Sequence, residues 1–142
     1  MKIANEDGNF YTLNFSPGEE IVFQIARFAR EKGIKAGHIT GLGAASRLTI
    51  AYYNLDDKKY EKKEFRENVE ICSLNGNIAI GKEGELIIHL HGIFSRRDFT
   101  TLGGHIVELV ILGAGEIHIT AFKGEIRRSY DENTGLNLMQ EK

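Results

Sequence analysis

The sequence predicts an α+β domain in which one main N-terminal helix packs on a largely antiparallel sheet. Two observations predict this class. One segment near the start of the chain has apolar residues at helical spacing, and many later segments are short, rich in β-branched and aromatic residues, and separated by Gly, Asp or Asn. A single early helix followed by a run of strands is typical of an antiparallel sheet covered on one face by that helix.

The bulk properties of the chain bound its organisation. Its 142 residues are enough for one domain, residues 1–142, with its own core. Hydrophobic residues make up 42% of the chain and the formal net charge is -2, which differs from the basic balance of an autonomous nucleic-acid binder. The single cysteine, Cys72, favours a reducing compartment, and no apolar run approaches the ~20 residues of a membrane span. A cytoplasmic protein is therefore expected.

The helix is predicted to begin directly after Ser16. Ser16 is a capping residue, Pro17 suits the first helical position, and Glu19 stands where it closes a capping box. Gly33 is a typical C-terminal cap. The apolar face of this helix is expected to consist of Ile21, Val22, Ile25, Phe28 and Ala29.

Strands account for most of the remaining chain. They are predicted over residues 9–15, 36–40, 48–54, 60–66, 69–80, 85–94, 106–112, 116–123 and 125–130. Two glycine-rich stretches, residues 41–46 and 112–116, are predicted to be turns between strands. Neither leads into a helix, and a dinucleotide fingerprint needs a helix N-terminus for the pyrophosphate, so that function is not indicated.

The stretch LIIHLHGIFSRRDFTTLGGHI, residues 86–106, contains three of the five histidines. His89 and His91 lie two residues apart in a strand, so they share one face, about 7 Å apart at the backbone. Gly103 and Gly104 remove side-chain bulk just before His105, which lets the backbone approach the strand that carries the pair. Two interpretations stay open: a zinc, nickel, copper or iron site with three imidazole ligands, or polar residues hydrogen-bonded in a wet interface or crevice.

Other polar residues have weaker signals. Glu108 follows His105 by three residues, and it either orients a liganding imidazole from behind or is a surface carboxylate. His38 and His118 have no other candidate metal ligands near them in the sequence and are expected to be ordinary surface histidines. Cys72 lies in an apolar strand and is expected to be buried and inert.

Basic residues occur in pairs rather than in a long run. Most such pairs are solvated surface, but threefold repetition in an oligomer would make them candidate nucleic-acid contacts. The candidates for that role are Arg96, Arg97, Arg127 and Arg128.

Several ordered segments carry a family resemblance. They are GIKAGHITGLGA (33–44), VEICSLNGNI (69–78), HLH (89–91), LGGH (102–105) and YDENTGL (130–136). In this order they resemble the plants-and-prokaryotes-conserved (PPC) domain, also called DUF296, over nearly the whole chain. The resemblance implies an α+β fold that assembles as a homotrimer, with His89, His91 and His105 at the positions of three histidines that hold a metal, usually zinc, in prokaryotic members.

The resemblance also bears on DNA binding. Plant members carry an AT-hook before the domain, and the first residues here, MKIANEDGNF, contain no such segment. A Gly-Arg-Phe-Glu-Ile-Leu stretch linked to protein contacts in plants aligns with residues 67–72, which keep Glu-Ile and lose the Gly and Arg. Stand-alone prokaryotic members are often described as predicted DNA-binding proteins.

Three functions remain in view from the sequence. The first is a metal-holding homotrimer that serves as an assembly or regulatory module, because no nucleophile motif is present. The second is DNA association, alone or with a partner. The third is a metal-dependent enzyme, in which zinc lowers the pKa of a bound water and Glu108 acts as base on an unknown substrate.

Overall fold

The computed structural model describes residues 1–141 and contains one helix and nine strands in that range. The elements in chain order are β1 (Lys2–Asp7), β2 (Phe10–Phe15), α1 (Ile21–Glu31), β3 (Gly37–Asn54), β4 (Lys59–Phe65), β5 (Val69–Ile80), β6 (Leu86–Ser95), β7 (Thr101–Ala121), β8 (Arg128–Asp131) and β9 (Leu136–Met139). Across residues 1–141, no helix is long and apolar enough to cross a bilayer.

The strands form one large sheet and one small one. The seven-stranded sheet has the order β1-β2-β7-β6-β5-β3-β4, and β7 also pairs with β3, so that β7, β6, β5 and β3 close on themselves. All pairings between these strands are antiparallel. Strands β8 and β9 form a separate antiparallel hairpin. The predicted class, an α+β fold with a largely antiparallel sheet and one helix, is confirmed, and the helix is short.

Helix α1 begins later than the sequence predicted. Its N-cap is Glu20, whose carboxylate accepts hydrogen bonds from the backbone N–H groups of Val22 and Phe23 at 3.0 and 2.6 Å. The backbone of Gly18 has φ +85°, which ends any helical path from Ser16. Glu19 does accept a hydrogen bond from the Ser16 backbone N–H, but within a turn rather than a helical cap.

The two glycine-rich stretches are strand, so the prediction of turns there was wrong. Strands β3 and β7 run through them and pair across Gly43 and Gly115. A Cβ on Gly41 would lie 2.8 Å from the carbonyl oxygen of Glu116, and one on Gly43 would lie 2.3 Å from that of Ala114. Glycine is needed here because the two backbones approach closely, next to a register shift between Gly43 and Ala45.

The core lies between α1 and the sheet. The helix contributes Ile21, Ile25, Phe28 and Ala29, and the sheet contributes inward residues such as Leu13, Phe15, Leu90, Phe94, Ile106 and Leu109, all buried. Cys72 is exposed, against expectation, because it follows the buried Ile71 in β5 and therefore points to the opposite face of the strand. This face alternation also decides which way the histidines of β6 point.

Candidate metal centre

Strand β6 points two histidines away from the core. Leu90 and Phe94 on the inner face are fully buried, whereas His91 on the outer face is exposed and His89 is half-buried. The strand alternates because its apolar residues at even positions pack under α1. His89 and His91 are therefore neighbours on one face, as their spacing predicted.

Strand β7 brings the third histidine to the same face. His105 pairs directly with His91 across the strands. Its approach depends on glycines, since a Cβ on Gly103 would lie 2.8 Å from the carbonyl oxygen of Gly92, and one on Gly104 would lie 2.9 Å from that of Ala51. The Gly-Gly pair thus allows the close strand contact that the sequence suggested.

The three imidazoles, called here the histidine cluster (His89, His91 and His105), are nearly equidistant. Their ring centroids lie 5.1, 5.1 and 5.3 Å apart. One nitrogen from each ring lies within 4.8 Å of the other two, so a single point exists within about 2.8 Å of all three. Zinc–imidazole bonds are about 2.0–2.1 Å long, so each ring has to close by less than about 1 Å, a side-chain adjustment.

The electrostatics of the cluster favour neutral imidazoles. Burial, aided by Arg128 and the other two rings, lowers the pKa of His89 from 6.5 to about 4. Burial also lowers the pKa of His105, with smaller effects from His91 and Lys62. Neutral rings keep the lone pairs that a metal ion needs. The Nδ1 atom of His105 is buried without a hydrogen-bond partner within residues 1–141, which a bound cation would remedy.

A guanidinium group lies beside the cluster. One terminal nitrogen of Arg128 is 3.1 Å from Nδ1 of His89 and donates to the side-chain oxygen of Asn77 at 3.1 Å. The other terminal nitrogen donates to the backbone carbonyl of Asn137 at 2.9 Å. Arg128, predicted as a nucleic-acid contact, therefore lies beside the candidate metal ligands.

A pocket opens over the histidine cluster. It has a volume of about 810 Å³ and lies between the outer face of the sheet and the β8–β9 hairpin. Tyr60 stacks at 5.0 Å on the ring of His105, and Tyr53 meets Tyr60 edge to face at 4.8 Å. The volume is within the usual range for small-molecule sites, about 300–1,000 Å³.

The sequence did not single out the residues that make this pocket. Tyr53 and Tyr60 come from β3 and β4, and Leu136 comes from β9. No spacing rule connects these segments, because their proximity depends on long-range strand pairing. The nearest local signal was the tyrosines in alternating strand segments.

The remaining predicted site residues are engaged elsewhere. Glu108 forms an ion pair with Arg47 at 2.5 Å, so its carboxylate faces that guanidinium rather than an imidazole. Arg96 forms a two-pronged ion pair with Glu67, and Arg127 pairs with Glu125. Arg97 is exposed, as are His38 and His118.

Fold and cluster together define the class of protein: a closed antiparallel sheet domain with a three-histidine candidate metal centre at the floor of a pocket. The model of the Plants and Prokaryotes Conserved (PCC) domain matches residues 3–123. The chain belongs to this family, which confirms the resemblance seen in the sequence.

Solved structures of similar proteins support the assignment. A candidate DNA-binding protein from Bacteroides thetaiotaomicron is 37% identical with a TM-score of 0.91, covering 96% of this chain and 94% of that one. A metal-containing protein from Archaeoglobus fulgidus is 36% identical with a TM-score of 0.88, covering 99% and 100%. Among curated protein sequences, the bifunctional protein GlmU from Synechococcus sp. (strain JA-3-3Ab) is 31% identical to this chain over 96 residues. The match covers 68% of this chain and 14% of the length of that relative.

Proposed function

We propose that this chain binds one zinc ion through His89, His91 and His105 and acts as a homotrimeric assembly or regulatory module. The observation that supports the metal site is that one nitrogen from each of the three imidazoles lies within 4.8 Å of the other two. In addition, Nδ1 of His105 is buried without a hydrogen-bond partner in residues 1–141. Three imidazoles with an open fourth position suit zinc best, although nickel, copper and iron also accept such ligands. The metal-containing relative adds support from a protein 36% identical to this one.

The homotrimer rests on the family resemblance and on exposed apolar side chains. Ile93 is 53% exposed and Phe99 86% exposed, both near the turn that joins β6 to β7. Apolar residues of this size on a surface are candidates for burial between subunits. We also place the protein in the cytoplasm, on the evidence of its lone cysteine.

DNA association is the weaker part of the proposal. The Bacteroides relative is described as a candidate DNA-binding protein. Here, however, Arg96 and Arg127 are held in ion pairs with carboxylates, and only Arg97 of the four candidate contacts is exposed without an ion pair within residues 1–141. If phosphates dominate binding, the affinity falls steeply with salt and falls further in Arg97→Ala.

A metal-dependent enzyme is the second candidate function, and the pocket over the histidine cluster favours it. A zinc ion there would lower the pKa of bound water and polarise a substrate oxygen. Glu108 is not positioned as the base, because it faces Arg47. The guanidinium of Arg128 lines the same pocket and would lie beside a substrate.

The deciding experiment is native mass spectrometry with elemental analysis on untagged protein. Wild type is expected to be a trimer with about one zinc per chain, and His105→Ala is expected to lose the zinc. The matched control is His118→Ala, which removes an exposed histidine of the same strand. A metal-free wild type contradicts the zinc site, and a monomer contradicts the assembly.

A further inference from the structure

We infer that the pocket over the histidine cluster binds a small organic carboxylate, with its carboxylate held by the Arg128 guanidinium and its apolar part against the tyrosine wall. This inference deepens the proposed function, and it rests on that function for the second positive charge, the zinc ion. It assigns a ligand class to the pocket and an anchoring residue to that ligand.

The first support is the charge of Arg128. Its three hydrogen-bond partners are the carbonyl oxygen of Asn137, the side-chain oxygen of Asn77 and the imidazole of His89, all of them neutral. Its Nε is buried with no partner in the described chain. Eight of the other cationic groups in residues 1–141 have a carboxylate within 4 Å, whereas Arg128 has none. A half-buried cation without a counter-ion is a favourable place for an anion.

The second support is the chemistry of the pocket wall. Tyr53, Tyr60, Ile87 and Leu136 give it aromatic and aliphatic surface. The Tyr53 hydroxyl already donates to the carbonyl of Thr134 at 2.7 Å, so it presents mainly its ring. Such walls fit an organic body rather than a bare inorganic ion.

The single acidic residue in the lining does not neutralise Arg128. Glu85 is exposed, and its carboxylate accepts the backbone N–H of Glu83 at 3.1 Å, within the β5–β6 turn. Its contacts are therefore local to that turn. The charge balance at the cluster end of the pocket is positive, and it becomes more so with a metal ion.

The third support comes from counting lone pairs on His89. A neutral imidazole has one nitrogen lone pair, and arginine only donates, so Nδ1 of His89 must accept from Arg128 at 3.1 Å. A metal on Nδ1 would displace the guanidinium. A metal on Nε2 would require the proton of the ring to be on Nδ1, and the Nδ1–H of His89 would then face an N–H of Arg128, with no acceptor between them. In both cases metal binding releases one N–H of Arg128 toward the pocket that both residues line.

A guanidinium with a released N–H beside a metal ion matches a carboxylate well. One oxygen accepts from the planar fork of Arg128, and the same group is drawn by the positive charge of the metal. Lysine would not reproduce the fork. One anchoring arginine and apolar walls favour a singly charged carboxylate with an organic body over phosphate.

The test measures two quantities on the same protein. Elemental analysis gives zinc per chain, and calorimetric titration gives the affinities for 3-phenylpropanoate and hexanoate, with their neutral amides and inorganic phosphate as comparison probes. The variants are Arg128→Gln and Arg128→Lys. The matched control is Arg127→Gln, the adjacent arginine, which lies outside the pocket lining and pairs with Glu125.

The expected result is saturable binding of at least one carboxylate to wild type and to Arg127→Gln. Affinity should fall about 10- to 100-fold in Arg128→Gln, the value of a charge-assisted hydrogen bond, and less in Arg128→Lys. The amides should bind wild type more weakly by a similar factor, a comparison that needs no variant. Retained zinc in Arg128→Gln would show that the loss belongs to the carboxylate.

Three results would overturn the inference: no saturable binding of either carboxylate, equal binding of carboxylate and amide, or tighter binding of inorganic phosphate. Equal carboxylate affinity in Arg128→Gln would also overturn it while leaving the zinc site intact. If wild type holds no zinc, the proposed function fails separately. If carboxylate binding still depends on Arg128 in that case, Arg128 binds the carboxylate without the metal.

Discussion

Zinc is expected to stabilise the folded chain, and His105→Ala should abolish most of that effect. His105 lies on β7 and the other two members of the histidine cluster lie on β6. An ion bound by all three therefore joins two strands through side chains. Because the unfolded chain does not hold these strands together, the ion binds the folded state preferentially.

The magnitude follows from mass action. At a free zinc concentration 100 times the Kd, the stabilisation is about 2.7 kcal/mol. For a chain of this size about 1 kcal/mol corresponds to a Tm shift of about 3–4 °C, so zinc should raise the Tm by about 8–11 °C. Removing one ligand should weaken binding at least about 100-fold, which leaves about 0.4 kcal/mol and a shift of about 1–2 °C at the same zinc concentration.

The assay is thermal unfolding followed by circular dichroism at fixed free zinc, with magnesium as the ion control. In the absence of metal, His105→Ala should melt near wild type, because the substitution removes a ring whose Nδ1 is buried without a partner. His118→Ala should keep the full zinc response, since His118 is exposed and its ring contacts Thr12. An equal zinc shift in wild type and His105→Ala would refute the assignment of His105 as a ligand.

Three further predictions concern the surroundings of the site. Arg128→Gln should tighten zinc binding about tenfold, because the guanidinium that competes for the lone pair of His89 is removed. Unchanged or weaker zinc affinity in a chelator competition would contradict this. Gly76→Ala should destabilise the chain by about 1–3 kcal/mol in urea unfolding, since its Cβ would lie 2.0 Å from the His89 carbonyl oxygen, whereas Gly113→Ala has open space and should be neutral. Hydrogen bonds from Thr134 lower the pKa of the Asp131 carboxyl below 3.8, so the carboxylate stabilises the fold above that pH and its contribution is lost as the pH falls through the lowered pKa. Asp131→Asn should therefore destabilise the chain at neutral pH and differ less from wild type in acid. An equal difference in the free energy of unfolding at both pH values would argue against this.

The sequence was informative where one short segment determines the outcome. The two-residue period of a strand places His89 and His91 on the same face, and helical spacing defines the buried face of α1. The start of α1 was misplaced because Ser16 and Pro17 form a good cap by composition. The observed cap is Glu20, whose carboxylate is also held in place by the backbone N–H of Leu109 at 3.1 Å. That partner is 89 residues away, so no local rule reveals it.

The misread glycines have a related explanation. A glycine that permits a turn and a glycine that permits two strands to touch look alike in one sequence. Gly41, Gly43 and Gly115 are of the second kind, and recognising them requires knowing that β3 meets β7. The same holds for Arg128, whose role depends on the hairpin that carries it lying beside β5 and β6.

The β8–β9 hairpin lines the pocket over the histidine cluster while lying outside the large sheet. It contributes no strand to the large sheet and is attached through contacts such as the Tyr53–Thr134 and Lys58–Glu132 hydrogen bonds. Its residues can therefore be exchanged with little effect on the core, while the histidines stay on strands that the core fixes. A domain built this way keeps the histidine cluster on fixed strands and lines the pocket above it with a separate hairpin, so the lining of the pocket can change through substitutions in one short segment.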